Sequence, residues 1–416
     1  MKKVRFFFPD SHDYVDPTFD FEKETNNEHR VIQRDDKYAH ELFSSPVYDG
    51  ILVSKAVVDG VSGIKGKYSV AQRQRFFREG IYSFFRLPRS YETMGDCGAF
   101  AYAGEEVPPY TVDEVAEFYD VSGFTYGISV DHIIFGFENI SSGNKSRFDE
   151  NQLQEFKRRK DLTLELANDF LKVSKSLSFE PYGVAHGWDV DSYADSVNQL
   201  QKMGFTKIAV GGLVPLKSID VLLILEKINS IRLKSTELHL LGLYRLEYIN
   251  RFLGLGVTSF DSTSPLMKGL KDDKLNYDTL RNGYYTSIGV PQVEANLSLK
   301  KMVASGKVDQ NVALLLENKC LNQLIQFDKG ESSTQVVLET LCDYEKIYNL
   351  KKSRKELFEK ALNDAPWKDC ECEICTKIGI HVLLKRGAQR NRRRGFHNLY
   401  VAYLKLQIEL KLNTNE

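Results

Sequence analysis

Lys207-Ile208-Ala209-Val210-Gly211-Gly212 is a short apolar run that breaks on two glycines, and residues 218–231 behind it repeat apolar side chains at helical spacing. The alternation continues downstream with a strand at 238–242, a helix at 246–253 and a strand at 257–260. Upstream lie a strand at 124–130, a helix carrying Leu162, Leu166, Phe170, Val173 and Leu177, a strand at 179–184, and a helix at 191–203 closed by Gly204. Strands and helices that alternate across short connections form parallel βα units, because a parallel neighbour needs a crossover and the helix supplies it. Polar or glycine residues stand just past the strands: Asp131, His186, Gly211-Gly212, Tyr244 and Asp261. In an α/β chain closed as a (β/α)8 TIM barrel, such positions meet on the face that carries the site. A doubly wound sheet alternates too, but it announces a glycine-rich phosphate loop after its first strand, and none is evident.

Working outward, residues 4–8 and 50–54 read as further strands, and the polar, poorly periodic 10–49 between them as a decorated loop region. Residues 70–89 interleave Arg73, Arg75, Arg78, Arg86 and Arg89 with aromatics, which suits an amphipathic helix with a solvated basic face or a nucleic-acid contact. Met94-Gly95-Asp96-Cys97-Gly98-Ala99-Phe100 reads as a turn, or as glycines that let a ligand approach the backbone. Beyond Asp261 the pattern turns helical at 296–304, 310–327, 333–349 and 353–363. The expected division is a barrel core with N-terminal decorations at 1–270, a helical insertion at 271–365 and a metal-binding subdomain with a final helix at 366–416.

That last segment holds Cys370, Cys372 and Cys375, three of the six cysteines in the chain. Thiolates so clustered close on one ion, and a tetrahedral structural zinc site needs one more nitrogen or sulfur ligand, for which His381 and His397 compete. Three buried free thiols are the bland alternative. Lys385, Arg386, Arg390, Arg392, Arg393 and Arg394 follow with no intervening acid, as a solvated face or as phosphate contacts. Over the whole chain charge is balanced, 56 Lys+Arg against 57 Asp+Glu, so a polyanion would have to be held by such a local patch. Aliphatic runs such as 221–225 are far short of the roughly 20 residues of a membrane helix, and the apolar run near the N-terminus is too short for a secretory signal. Cys97, Cys320 and Cys342 are scattered, which is no disulfide framework, so a reduced, cytoplasmic protein without membrane contact is expected.

Several of these segments, in order from about Tyr91 to Leu399, together resemble the tRNA-guanine transglycosylase family. Met94 to Phe100 looks like its D-S-G-x-F segment, and Gly183-Val184-Ala185-His186-Gly187 is similar to its V-Q-G segment. Ala209-Val210-Gly211-Gly212-Leu213 matches A-V-G-G-L, while residues 238–243 and Val257-Thr258-Ser259-Phe260-Asp261-Ser262 look like its H-L-x-G-x and F-D stretches. The three cysteines with His397-Asn398 resemble its zinc motif, which selects His397 over His381. Cys97 stands for the family's serine, His186 for its glutamine, the P-T-R type continuation after Asp261 is missing, and the insertion before Cys370 is long. That combination resembles the DpdA branch, whose members put 7-cyano-7-deazaguanine into DNA.

The resemblance implies Asp261 as nucleophile and Asp96 as acid and base, although by spacing alone each is a turn or cap residue. It implies Asp131, His186, the Gly212-Leu213 backbone, Phe100 and Cys97 around the base, a structural Zn2+, DNA and 7-cyano-7-deazaguanine as substrates, and a separately encoded ATPase partner. It leaves a homodimer open. Rival readings are a transglycosylase acting on tRNA and a non-catalytic, zinc-bearing nucleic-acid-binding subunit.

Overall fold

The computed structural model describes residues 4–61, 63–139, 146–348 and 353–412. Its strands β1 (Arg5–Pro9), β2 (Gly50–Ser54), β3 (Glu92–Asp96), β4 (Tyr126–Ile128), β5 (Glu180–Ala185), β6 (Lys207–Val210), β7 (Glu237–Leu240) and β8 (Val257–Asp261) are all parallel. Each pairs with its neighbours in sequence, and β1 meets β8 through Arg5↔Ser259 and Phe7↔Asp261, which closes the expected barrel. Phe7, Leu52, Met94, Ile128, Tyr182 and Val184, from the first five strands, share one buried cluster. At about 1.5–3 kcal/mol for each large apolar side chain taken out of water, that cluster favours closure over an open sheet.

Strand β3 falls where the sequence reads as a turn. Gly95 is there for close approach: a Cβ on it would lie 2.2 Å from Cδ1 of Tyr119, whose ring covers the strand from helix Val112–Ser122. The helix before β5 runs Glu150–Ser174, opened by a capping box in which Asp149 accepts from Gln152 N at 2.8 Å. Its buried line is Lys160, Leu164, Ala167, Phe170 and Ser174. Leu162, Leu166 and Val173 flank that line half-buried, and Leu177 lies past the helix end. Small residues occupy the centre of the face, so apolar spacing alone points about a quarter-turn away. Helices Val190–Met203 and Ser218–Ile231 follow the sequence closely, and Gly204 ends the former in the left-handed region at φ 110°. The 246–253 helix opens as a 3-10 turn, Leu246–Tyr248, before Ile249–Gly254.

The chain separates into two compact units. One is drawn from 1–12, 48–263 and 408–416 and contains the barrel; the other is drawn from 13–47 and 264–407. The loop region before β2 therefore belongs mostly to the second unit, where 271–365 and the cysteine segment are not separate bodies. The final helix is Gly387–Leu412 and takes in most of the basic run, because the arginines ahead of His397 lie on its inward face. No helix among the described residues is long and apolar enough to cross a membrane.

The end of the barrel where the strands begin is tied by charge. Arg5 donates to Glu92 at 2.9 Å and to the Tyr126 hydroxyl at 2.6 Å, and lies 3.6 Å from Glu237, which also holds Lys207 at 3.0 Å. One side chain on β1 thus bridges β3, β4 and β7. Arg5→Met should lower stability by about 2 kcal/mol, the usual cost of losing hydrogen bonds to charged partners, as read from urea unfolding of purified protein. An unchanged midpoint would remove this closure from the account.

Candidate active site and candidate metal centre

Asp96 ends β3 directly beside Ser54, which ends β2, and the Ser54 hydroxyl donates to its Oδ2 at 2.6 Å. Burial, then the charges of Asp131 and Asp261, push the Asp96 carboxyl up to about 7, against the opposing hydrogen bonds of Ser54 and the Gly98 backbone. Asp131, just past β4, is buried and already engaged. The Cys97 thiol donates to its Oδ1 at 3.0 Å, and His186, just past β5, donates from Nε2 to its Oδ2 at 2.6 Å. Burial and the carboxylates of Asp131 and Asp96 push the Cys97 thiol well up, which keeps it a donor. The Tyr102 hydroxyl reaches the Cys97 sulfur at 2.9 Å and the Asp131 carbonyl at 3.1 Å.

Asp261, at the end of β8, is held differently. Its Oδ1 accepts from Gly242 N at 2.9 Å and from His239 Nε2 at 3.1 Å, and His239 Nδ1 lies 2.9 Å from Ser259 Oγ.

The glycine pair after β6 follows from the same crowding. A Cβ on Gly211 would lie 2.4 Å from His186 Cε1, and Gly212 sits at φ +75° with the Ile134 carbonyl 2.9 Å from where its Cβ would be. The Leu213 side chain is fully buried, so what it offers here is backbone. Phe100 is 69% exposed and stands edge-on to Phe135, ring centroids 5.5 Å apart.

The geometry thus brings Asp96, Cys97, Asp131, His186 and Gly212 together, with Asp261 within electrostatic reach of Asp96. Ser54 and Tyr102 lie outside the matched motifs, whereas His239 and Gly242 are the His and Gly of the H-L-x-G-x match and Ser259 lies in the F-D stretch, though the motifs assign them no role. His239 had a signal: it is the polar residue in the run Leu238 to Leu241, which otherwise reads as buried strand.

In the other unit, the ligand atoms of Cys370, Cys372, Cys375 and His397 all lie within 4.8 Å of one another. His397 Nδ1 stands 3.6, 3.5 and 3.3 Å from the three sulfurs. A tetrahedral ion with Zn–S of about 2.3 Å and Zn–N of about 2.0 Å gives S···N edges of roughly 3.5 Å, so the set fits a metal such as zinc. The supporting contacts suit the same role. His397 Nε2 donates to the Asp278 carbonyl at 2.7 Å, which leaves Nδ1 as the ligand atom, and Tyr277 stacks on the ring at 4.2 Å. Asn398, next in sequence, accepts from Asp278 N at 2.9 Å and donates to the Asn276 carbonyl at 3.0 Å. His381 lies outside this set, accepting from Arg390 at 3.3 Å and stacked on Phe21; burial and Arg390 push it down to about 4.

The basic run needs correction as a phosphate-gripping face. Arg386, Arg390, Arg393 and Arg394 are buried. Arg386 is paired with Glu24 and Glu317, Arg390 with Glu24 and the Phe21 carbonyl, and Arg393 with the Asp16 carbonyl. Arg394 donates to the carbonyls of Gly269 at 3.0 Å and Leu384 at 2.9 Å. Lys385 is paired with Asp273, and Arg392 donates to the Tyr14 carbonyl at 3.2 Å. A guanidinium has five donors in a fixed fork and can satisfy several carbonyls at once, so a run of them can dock a strap such as 13–47 as readily as a polyanion.

No family model matches the chain. Over 419 aligned positions, the whole of both proteins, it is 50% identical to a protein of Salmonella montevideo named DNA-guanine transglycosylase. With half of all positions shared from end to end, over a barrel whose mouth gathers these carboxylates, the chain belongs to the guanine transglycosylase family and is a glycosyltransferase of the pentosyl-transferring kind.

Proposed function

We propose that this enzyme exchanges guanine in DNA for 7-cyano-7-deazaguanine through a covalent aspartyl-deoxyribosyl intermediate, as the DpdA branch does in DNA modification and restriction. The observation that carries it is a pair of carboxyls on strand ends of one barrel: Asp96, bonded by the Ser54 hydroxyl and pushed by burial up to about 7, and Asp261, held by two N–H groups. DNA as the substrate rests on the name of the relative.

Exchange with retained configuration requires two inversions at C1′. A carboxylate oxygen of Asp261 attacks C1′, the bond to guanine breaks with its electron pair going to the base, and Asp96 gives that base a proton. The resulting Asp96 carboxylate takes a proton from the incoming base, whose ring nitrogen attacks C1′ and releases Asp261 as carboxylate. Asp131, Cys97 and His186 with the Gly212-Leu213 backbone would read the polar edges of the base, and Phe100 would stack on it. A barrel-mouth pocket takes an extruded or single-stranded nucleotide, not one stacked in a duplex.

The ion we assign to Cys370, Cys372, Cys375 and His397 is zinc. With four protein ligands it keeps no open position for water, so its part is to fix the segment structurally. The separately encoded ATPase partner stays part of this proposal.

Asp261→Ala should abolish exchange of labelled base into DNA while circular dichroism stays unchanged; persistent exchange would remove the nucleophile. Label entering tRNA in place of DNA would point to the tRNA reading. In single-turnover form, adduct formation needs protonated Asp96, so its rate should fall about tenfold per pH unit above about 7. Because folding raises this carboxyl, the stability tied to its proton is full below about pH 4 and is lost as pH rises through about 7. Asp96→Asn should therefore be inactive yet gain stability relative to the parent as pH goes from 4 to 8; a constant difference would contradict the shift. Elemental analysis should find one zinc per chain, lost in Cys372→Ser and His397→Ala, with a lowered melting temperature.

A further inference from the structure

We propose that His239 is a positioning residue that decides which oxygen of Asp261 attacks, an inference that rests on the base-exchange reading above. Both donors to Asp261, Gly242 N at 2.9 Å and His239 Nε2 at 3.1 Å, fall on Oδ1. A carboxylate pinned through one oxygen turns the other, Oδ2, outward. When Oδ2 bonds to C1′, Oδ1 becomes the ester carbonyl and keeps both hydrogen bonds. When the second base attacks, the C1′–Oδ2 bond breaks, its electron pair returns to the carboxylate, and the same two N–H groups meet the charge without reorganising.

The ring has little freedom to do otherwise. An ionised Asp261 can only accept, so His239 Nε2 carries the hydrogen and Nδ1 accepts from the Ser259 hydroxyl at 2.9 Å. His239 and Ser259 are fully buried, and the rings of Phe7 and Tyr182 meet the imidazole edge-on at 5.9 and 6.1 Å. Ser259 faces His239 because the β7–β8 register shifts: Val257 pairs with Leu238, but Ser259 pairs with His239. That irregularity inserts Thr258 and brings the hydroxyl level with the imidazole; an unbroken register would set Ser259 against Leu240. Asp261 follows two residues on, so one strand carries both the carboxylate and the hydroxyl that orients its partner.

His239→Phe, which keeps ring volume and removes both nitrogens, should lower kcat for exchange about 100-fold with KM for the incoming base little changed, in a protein that stays folded but melts lower. His239→Gln, which keeps an N–H donor, should recover most of the loss, and Ser259→Ala should fall between. Equal losses in the Phe and Gln variants, or full activity in His239→Phe, would overturn the assignment. Nitrogen NMR on 15N-histidine-labelled protein provides a readout independent of activity. His239 should be the Nε2–H tautomer in the parent and remain so in Ser259→Ala, because the Asp261 carboxylate sets it, whereas an Nδ1–H tautomer in the parent would overturn the proposal. If the parent protein exchanges no guanine, the functional reading fails, and the tautomer still decides how His239 is arranged.

Discussion

Three carboxyl groups, the half-buried Asp96 and the buried Asp131 and Asp261, share one barrel mouth, and three negative charges cannot stand there uncompensated. Each is settled in its own way. Asp131 receives the Cys97 thiol and the His186 imidazole, and Asp261 receives a backbone N–H and a second imidazole. Asp96 has a serine hydroxyl and a glycine N–H, too little to hold a charge beside the other two, so it holds a proton up to about pH 7. The division of labour between a fixed carboxylate and a proton carrier thus follows from how donors are distributed around the rim.

That distribution depends on packing one layer back. Gly95 admits the Tyr119 ring against β3, and Gly211 admits the His186 ring after β6. The closed sheet then fixes the spacing of the strand ends, with Ser54 level with Asp96 and Phe7 level with Asp261. A catalytic geometry is easier to hold on strand ends than on free loops, because strand register is shared with two neighbours.

The strands and helices of the regular βα stretch were readable from periodicity, and helix Ser218–Ile231 coincides with its sequence range. β3 was not, because a strand containing Gly95 and ending on an acid has the composition of a turn; its reason is a tyrosine ring supplied by a later helix. The ordered motifs pointed to Asp96, Asp261, His186 and the metal ligands, and the position of Asp131 just past a strand pointed to it, since those residue types carry chemistry. Ser54 lay outside the motifs, and His239 and Ser259 lay inside them without a role, because what these three do depends on cross-strand register, which spacing along one chain does not express. The arginine run misled for a related reason: charge density reports donors, and whether they face phosphate or carbonyl oxygen is decided by what packs on the helix.

The central claim is that burial first, and then the neighbouring charges of Asp131 and Asp261, raise the proton affinity of Asp96. Carbon NMR titration of 13C-aspartate-labelled protein, with Asp96→Asn to assign the signal, measures this directly. The account predicts a carboxyl titrating near 7 that moves down when Asp261 is changed to Asn. An Asp96 that titrates near the ordinary carboxylate value of about 4, or that ignores the Asp261 change, would contradict it.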